Sequence, residues 1–184
     1  MRVMIELFRD KGYAAVSLDD LSSATGLSRP SLYRAFGSKV EMYVGAMDAF
    51  GVQVAQEAAP KLFATDDLAT DLKNFLDAML TIYFRDEEVT PGCLVFGTAP
   101  SAADEAAVQA RLKLGLDHVD ALMRSSFEKA FPTADAAAMR MAVEIASNTL
   151  IAFSARAKSG TPKSELSDMG AHSAQAVSVL LGAA

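Results

Sequence analysis

Apolar residues recur at helical spacing along the chain, and no stretch shows the sustained apolar/polar alternation of a half-buried strand. Leu18, Leu21, Ala24 and Leu27 fall on one side of a short helix and its turn, and Leu32 and Phe36, four apart, form a matching stripe on the next. Polar caps mark where these helices begin. Ser17-Leu18-Asp19-Asp20 and Ser38-Lys39-Val40-Glu41 each place an acid three residues after a serine, the arrangement in which cap and acid satisfy each other's backbone N–H groups. Ser28 can cap a helix whose first turn holds Pro30, where a proline is tolerated. Gly12, Gly26 and Gly37 stand just past the ends that these caps require. The pattern predicts helices over 1–11, 18–25 and 29–36, and a long one from 39.

Pro60 and Thr65-Asp66-Asp67 interrupt the pattern, and a helix over 67–86 follows. Residues 87–104 mix proline and glycine with a short apolar run and predict loop with a short helix inside. Helices over 104–130, 134–158 and 163–182 complete the chain, with Thr133 and Thr161 as candidate caps. The expected architecture is all-α, with a small N-terminal domain over 1–43 and a larger helical domain over 44–184.

Composition narrows the class. A chain of 184 residues with 51% hydrophobic and 22% charged residues has the balance of a globular protein with a real core. No apolar run reaches the ~18 residues of a membrane span, and no secretory leader is visible. The single cysteine, Cys93, excludes an internal disulfide framework. These features predict a cytoplasmic protein without a membrane partner. Charge then separates the two regions. Residues 1–43 hold six basic and five acidic residues, while the remainder holds eleven basic against eighteen acidic. The larger domain is acidic and the smaller is not.

The short helices are also where candidate chemistry lies. Two helices joined by Ala24-Thr25-Gly26-Leu27-Ser28, apolar faces inward, make a helix-turn-helix. With Leu32 and Phe36 inward, Pro30, Ser31, Tyr33 and Arg34 point sideways or outward, and Arg29 sits in the first turn, where a long side chain can swing out. In such a motif the second helix enters the major groove. Arginine offers two hydrogen bonds to a guanine, and serine suits several bases. Tyr33 and Lys39 suit phosphates, Lys39 at a helix start whose free N–H groups attract anions. Spacing alone fits both this reading and an ordinary pair of capped helices.

The stretch from Gly12 to Tyr43 resembles the N-terminal domain of the tetracycline-repressor (TetR) family of bacterial transcriptional regulators. Phe8, Gly12-Tyr13, Ser17, Leu21, Gly26-Leu27-Ser28, Leu32-Tyr33-Arg34, Phe36 and Ser38-Lys39 carry the resemblance. It implies an all-helical homodimer that binds a palindromic double-stranded DNA operator through Ser17, Arg29, Pro30, Ser31, Tyr33, Arg34 and Lys39, and a repressor released by a small apolar or amphipathic effector. Two departures stand out: Ala35, where many members have histidine, and a start at Met1-Arg2 inside the first helix, where members usually carry a basic arm.

The resemblance also implies a pocket enclosed by the middle helices and a dimer bundle made by the last two. Candidate pocket residues are Phe75, Met79, Ile82, Tyr83, Phe96, Leu116, Val119 and Met123, although a stripe of this kind at helical spacing is more often core. Small residues in 134–158 and 163–182 suit close helix packing, within one chain or between two. Cys93 reads as a small buried hydrophobe, with Asp86, Glu87 and Glu88 nearby to disfavour a thiolate. His118 and His172 lie on separate helices without metal-ligand spacing, and no phosphate-cradling glycine loop is present, so neither an enzyme nor a metal or other cofactor is expected. The alternative is a helical dimeric interaction protein with lost or weak DNA binding.

Overall fold

The computed structural model describes residues 1–84 and 91–182, and all regular structure among them is helical. The helices are α1 (Arg2–Ala15), α2 (Leu18–Thr25), α3 (Arg29–Phe36), α4 (Lys39–Glu57), α5 (Leu68–Tyr83), α6 (Leu94–Thr98), α7 (Ala106–Ala130), α8 (Ala136–Lys158) and α9 (Lys163–Gly182), with 3-10 turns at Ala59–Phe63 and Ala99–Ala102. The architecture is all-α. No helix among the described residues is long and apolar enough to cross a membrane.

The chain forms two compact units. The first is Met1–Gln53 together with Cys93–Gly115, and the second is Val54–Gly92 together with Leu116–Ala184. The first unit is larger than residues 1–43 for a physical reason. Helix α1 buries Met4, Ile5 and Phe8, more apolar surface than the two-turn α2 can cover, and α1 also packs against α6 and the Ala99–Ala102 turn. Tyr43 sits at the centre of this core, fully buried. Its ring meets Phe8 edge-on at 4.9 Å, and its hydroxyl lies 2.6 Å from Thr98 Oγ1. Thr98 gives its own proton to the Leu94 carbonyl at 2.5 Å, so Tyr43 is the donor of the pair. Burial pushes the Tyr43 phenol up to about 12.

Several element ends depart from the sequence pattern. The first run of α1 ends before Gly12, as the pattern predicts, and what the pattern does not show is the further turn beyond it. The chain leaves helical geometry at Gly12 (φ 76°, ψ 167°), a conformation glycine adopts without strain, and resumes a turn that runs to Ala15. Ala24 and Leu27 do not join the inner stripe: both are exposed, and Leu21 is the residue α2 buries. Two turns offer too few periods to fix the inner face, and Gly26, left-handed at φ 71°, carries the chain outward before Leu27. Helix α8 is capped by Asp135, which accepts from the N–H groups of Ala137 (2.8 Å) and Ala138 (3.1 Å), rather than by Thr133.

In the second unit α5 packs against α8 and α9, and the Ala59–Phe63 turn packs against α5. Leu72, Phe75, Leu76 and Met79 of α5 are buried, as are the small residues Ala142 and Ala146 of α8 and Gly170 and Ala174 of α9. Gly170 lies close to its neighbours: a Cβ there would stand 3.3 Å from the Phe153 ring, a tight contact, and 3.5 Å from Leu76, an ordinary one. The buried Asp71 carboxylate accepts from Thr65 N (3.0 Å) and Thr65 Oγ1 (2.8 Å), which ties the loop before α5 to that helix.

Candidate nucleic-acid interface

The capping pattern builds the helix-turn-helix directly. The Ser17 hydroxyl accepts from Asp20 N at 3.0 Å and donates to the Asp20 carboxylate at 2.6 Å, while Ser17 N donates to the same carboxylate at 2.8 Å. Lys11 adds an ion pair to Asp20 at 2.6 Å, tying α1 to α2. Lys11 first, then Ser17, hold the Asp20 carboxyl well below the usual carboxylate range. Helix α3 begins at Ser28, whose hydroxyl lies 2.9 Å from Ser31 Oγ, with Pro30 in the first turn. Ser38 and Glu41 form the same reciprocal box at the start of α4: Ser38 N donates to Glu41 at 2.7 Å and Glu41 N to Ser38 Oγ at 3.3 Å.

All seven predicted contact residues reach solvent. Ser17, Arg29, Pro30, Tyr33 and Arg34 are exposed, and Ser31 and Lys39 are half-buried. Leu32 is fully buried between them and fixes which way the others face. Side-chain contacts gather the helix ends that carry these residues. Asp19 in the first turn of α2 grips Arg29 in the first turn of α3, with Arg29 Nε 2.9 Å from Oδ1 and Nη2 2.5 Å from Oδ2. Lys39 at the start of α4 reaches back to the end of α1, its ammonium 4.5 Å from the Tyr13 ring centroid and 3.5 Å from the Ala14 carbonyl. Tyr13 in turn donates to Glu105 at 3.1 Å and leans on the Tyr43 ring at 5.2 Å.

The Asp19–Arg29 pair is a feature that the sequence reading missed. Ten residues separate the partners, so no local periodicity connects them. With it in place, the basic residues of the first 43 positions sort clearly. Arg9 is buried against Glu6 and the Phe50 ring, and Lys11 and Arg29 are paired with aspartates. Arg2, Arg34 and Lys39 remain without a carboxylate partner among the described residues.

The eight candidate pocket residues have mixed placements. Phe75, Met79, Ile82, Tyr83 and Met123 are buried, while Phe96, Leu116 and Val119 are half-buried. Phe96 falls in the first unit and the other seven in the second. None lines either of two cavities in the second unit. One, of about 160 Å³, is walled by Leu62, Thr65, Asp66, Leu68, Asp71, Ser126, Lys129 and Ala130. The other, of about 400 Å³, is walled by residues from Arg124 to Met139. Cys93 is buried, and its Sγ accepts from Phe96 N at 3.4 Å as the cap of α6. The acids Asp86, Glu87 and Glu88 lie outside the described residues. His118 and His172 are exposed on α7 and α9. Among the described residues no three His, Cys, Asp or Glu side chains are grouped as a metal centre would need.

Two capped helices joined by a left-handed glycine, with basic residues on the outer side of the second, define a helix-turn-helix protein. Residues 3–46 match the family model of bacterial regulatory proteins, tetR family, and the N-terminal domain is a TetR-family domain. The chain is 28% identical over 83 residues to the HTH-type transcriptional activator FasR of Mycolicibacterium smegmatis, covering 45% of this chain and 38% of FasR. It is 25% identical over 101 residues to the HTH-type transcriptional repressor ComR of Escherichia coli, covering 55% of this chain and 48% of ComR. The matches thus span less than half the length of these curated relatives. The fold extends further. A cysteine-substituted form of the TetR family transcriptional regulator CifR, complexed with a 26-base-pair double-strand operator DNA, superposes with a TM-score of 0.83 at 22% identity, over 95% of this chain and 92% of that one.

Proposed function

We propose that this protein is a homodimeric transcriptional regulator that reads an inverted-repeat operator through α3 and contacts its phosphates through α3 and the starts of α2 and α4. The observation that carries the reading is the set of seven solvent-reaching side chains around the buried Leu32, on a domain matched by the tetR family model. CifR, of the same fold, was captured on operator DNA. In the helix-turn-helix mode, Arg29, Pro30 and Ser31 face base edges, while Ser17, Tyr33, Arg34 and Lys39 face the backbone.

The second copy is supported by the outer surface of α8 and α9. Met141, Ile145 and Val179 are 48%, 39% and 58% exposed. Ala137, Met141 and Ile145 follow one another at four-residue steps along α8, and Ala176 and Val179 continue an apolar strip on α9. An apolar strip on two helices of a bundle invites the same strip of a second copy, related by a two-fold axis.

Selection from a pool of random-sequence duplexes tests the reading. The purified protein should enrich an inverted repeat whose half-sites lie about 34–36 Å apart, or a multiple of that. Recovery of no common sequence at low salt would sink it and favour a helical interaction protein instead.

The regulatory half of the proposal is a repressor released by an apolar or amphipathic effector bound in the second unit, with Phe75, Met79, Ile82 and Tyr83 of α5 as candidate walls. Helix α4 supplies covalent continuity, since Lys39 opens it in the first unit and its last residues, from Val54, belong to the second. Release requires the effector to bind one head arrangement better than the other. Calorimetric titration of an effector with and without the selected duplex should therefore give weaker binding in the presence of DNA, by the factor with which the effector weakens DNA binding. Equal affinities alongside effector-induced release would rule this scheme out.

A further inference from the structure

We propose that Asp19 is a specificity-determining positioning residue, which fixes one edge of the Arg29 guanidinium so that the other edge reads a guanine and is withheld from phosphate. The inference deepens the DNA-binding reading and rests on it.

The geometry is one of donors and edges. A guanidinium has five N–H donors in a plane. Asp19 takes the Nε hydrogen and one Nη2 hydrogen through two parallel bonds. One hydrogen on Nη2 and two on Nη1 remain, and together they form a second fork with the spacing of guanine O6 and N7. The pair therefore leaves Arg29 able to read a base while fixing the plane from which it does so. Both anchors are firm. Asp19 lies in the first turn of α2, whose start is set by the Ser17–Asp20 box and by Lys11, and Arg29 follows the Ser28 cap of α3.

Charge then separates the two kinds of target. A base edge is neutral, and a carboxylate beside it costs little. A phosphate is anionic, and to meet it Arg29 must either abandon Asp19 or bring the phosphate close to that carboxylate. The pair is neutral as a unit, so it displaces no net counterion from the duplex. Asp19 thus acts against the contact that would raise affinity for every sequence alike, which is discrimination by a repulsive element. Arg34 and Lys39, which have no carboxylate partner among the described residues, supply the sequence-independent contacts.

The experiment measures wild type, Asp19→Asn, Arg29→Ala and the double variant by fluorescence anisotropy. The probes are the duplex selected by wild type and a scrambled duplex of equal length, each over a salt series. Circular dichroism confirms the fold. Arg29→Ala should weaken binding to the selected duplex by about tenfold or more, with an unchanged salt slope. Asp19→Asn should tighten binding to the scrambled duplex about threefold or more and steepen the slope by about two, one for each protomer. Discrimination should fall, and the double variant should behave as Arg29→Ala alone. A purely structural role for Asp19 would move neither slope nor discrimination, and that result would overturn the proposal. So would a slope flattened by Arg29→Ala, which would make Arg29 a phosphate contact. Even if Asp19→Asn does not fold, a salt slope flattened by Arg29→Ala still overturns the proposal. Failure of wild type to select any sequence would refute the DNA-binding reading itself, and is distinguishable from both.

Discussion

Replacing Arg34 and Lys39 by alanine should abolish most of the protein's attraction for DNA. Each is a basic side chain of the helix-turn-helix without a carboxylate partner among the described residues, and a charge-assisted hydrogen bond contributes about 1.5–3 kcal/mol. A dimer loses two such contacts per substitution, so each single variant should bind the selected duplex at least about a hundredfold more weakly at moderate salt. The salt slope should flatten by about two per substitution and about four in the double variant. Lys39 must leave the Tyr13 ring to reach a phosphate, which costs about 0.5–1 kcal/mol of cation–π attraction. Its alanine variant should therefore lose somewhat less affinity than Arg34→Ala. Anisotropy titrations over a salt series measure all of this. If both variants keep the wild-type affinity and slope, the surface around α3 is not where DNA binds.

Ile145→Arg should convert the protein to a monomer. The substitution places a charge in the middle of the apolar strip of α8, where two copies would have to bury it against each other without a counter-charge. Light scattering at micromolar concentration should show half the wild-type mass. Affinity for the inverted repeat should then fall by roughly 10²–10⁴, because the second half-site no longer benefits from the first. Val179→Arg on α9 should act the same way. Both substitutions are at exposed positions of the chain, so its helical content should survive. Dimers that persist in both variants would place the interface elsewhere.

Much of this molecule was legible in the sequence because its signals are local. A serine and an acid three residues on mark the starts of α2 and α4 to the residue, since the hydrogen bonds involved span a single turn. The long helices α5, α7, α8 and α9 repeat their period often enough to be unambiguous. Other features depend on distant residues. Helix α2 has two turns, and whether Ala24 faces inward depends on what packs beside it. The adherence of residues 93–115 to the first unit follows from Tyr13 meeting Glu105 and Tyr43 meeting Thr98, contacts that no local pattern announces. The Asp19–Arg29 pair is of the same kind: a charge count registers both ions but not their embrace. In α5, periodicity marked Phe75, Met79, Ile82 and Tyr83 as an apolar face, and all four are buried. A ligand-lined wall and an ordinary core leave the same periodic trace, so sequence cannot separate them.

The seating of Tyr13 and Tyr43 bears on how this protein can be taken apart. Tyr43 donates a hydrogen bond to Thr98, and Tyr13, on which Lys39 rests, donates one to Glu105. Cut out after Gln53, the reading head would keep its helix-turn-helix but lose the floor beneath it. Met4, Ile5 and Phe8 would lose the cover of α6, and two phenols would lose their acceptors. The head is therefore not a portable cartridge. A chimera that swaps effector domains between regulators of this fold would have to carry the 93–115 segment along with the N-terminal helices, although residues 54–92 stand between them in the sequence.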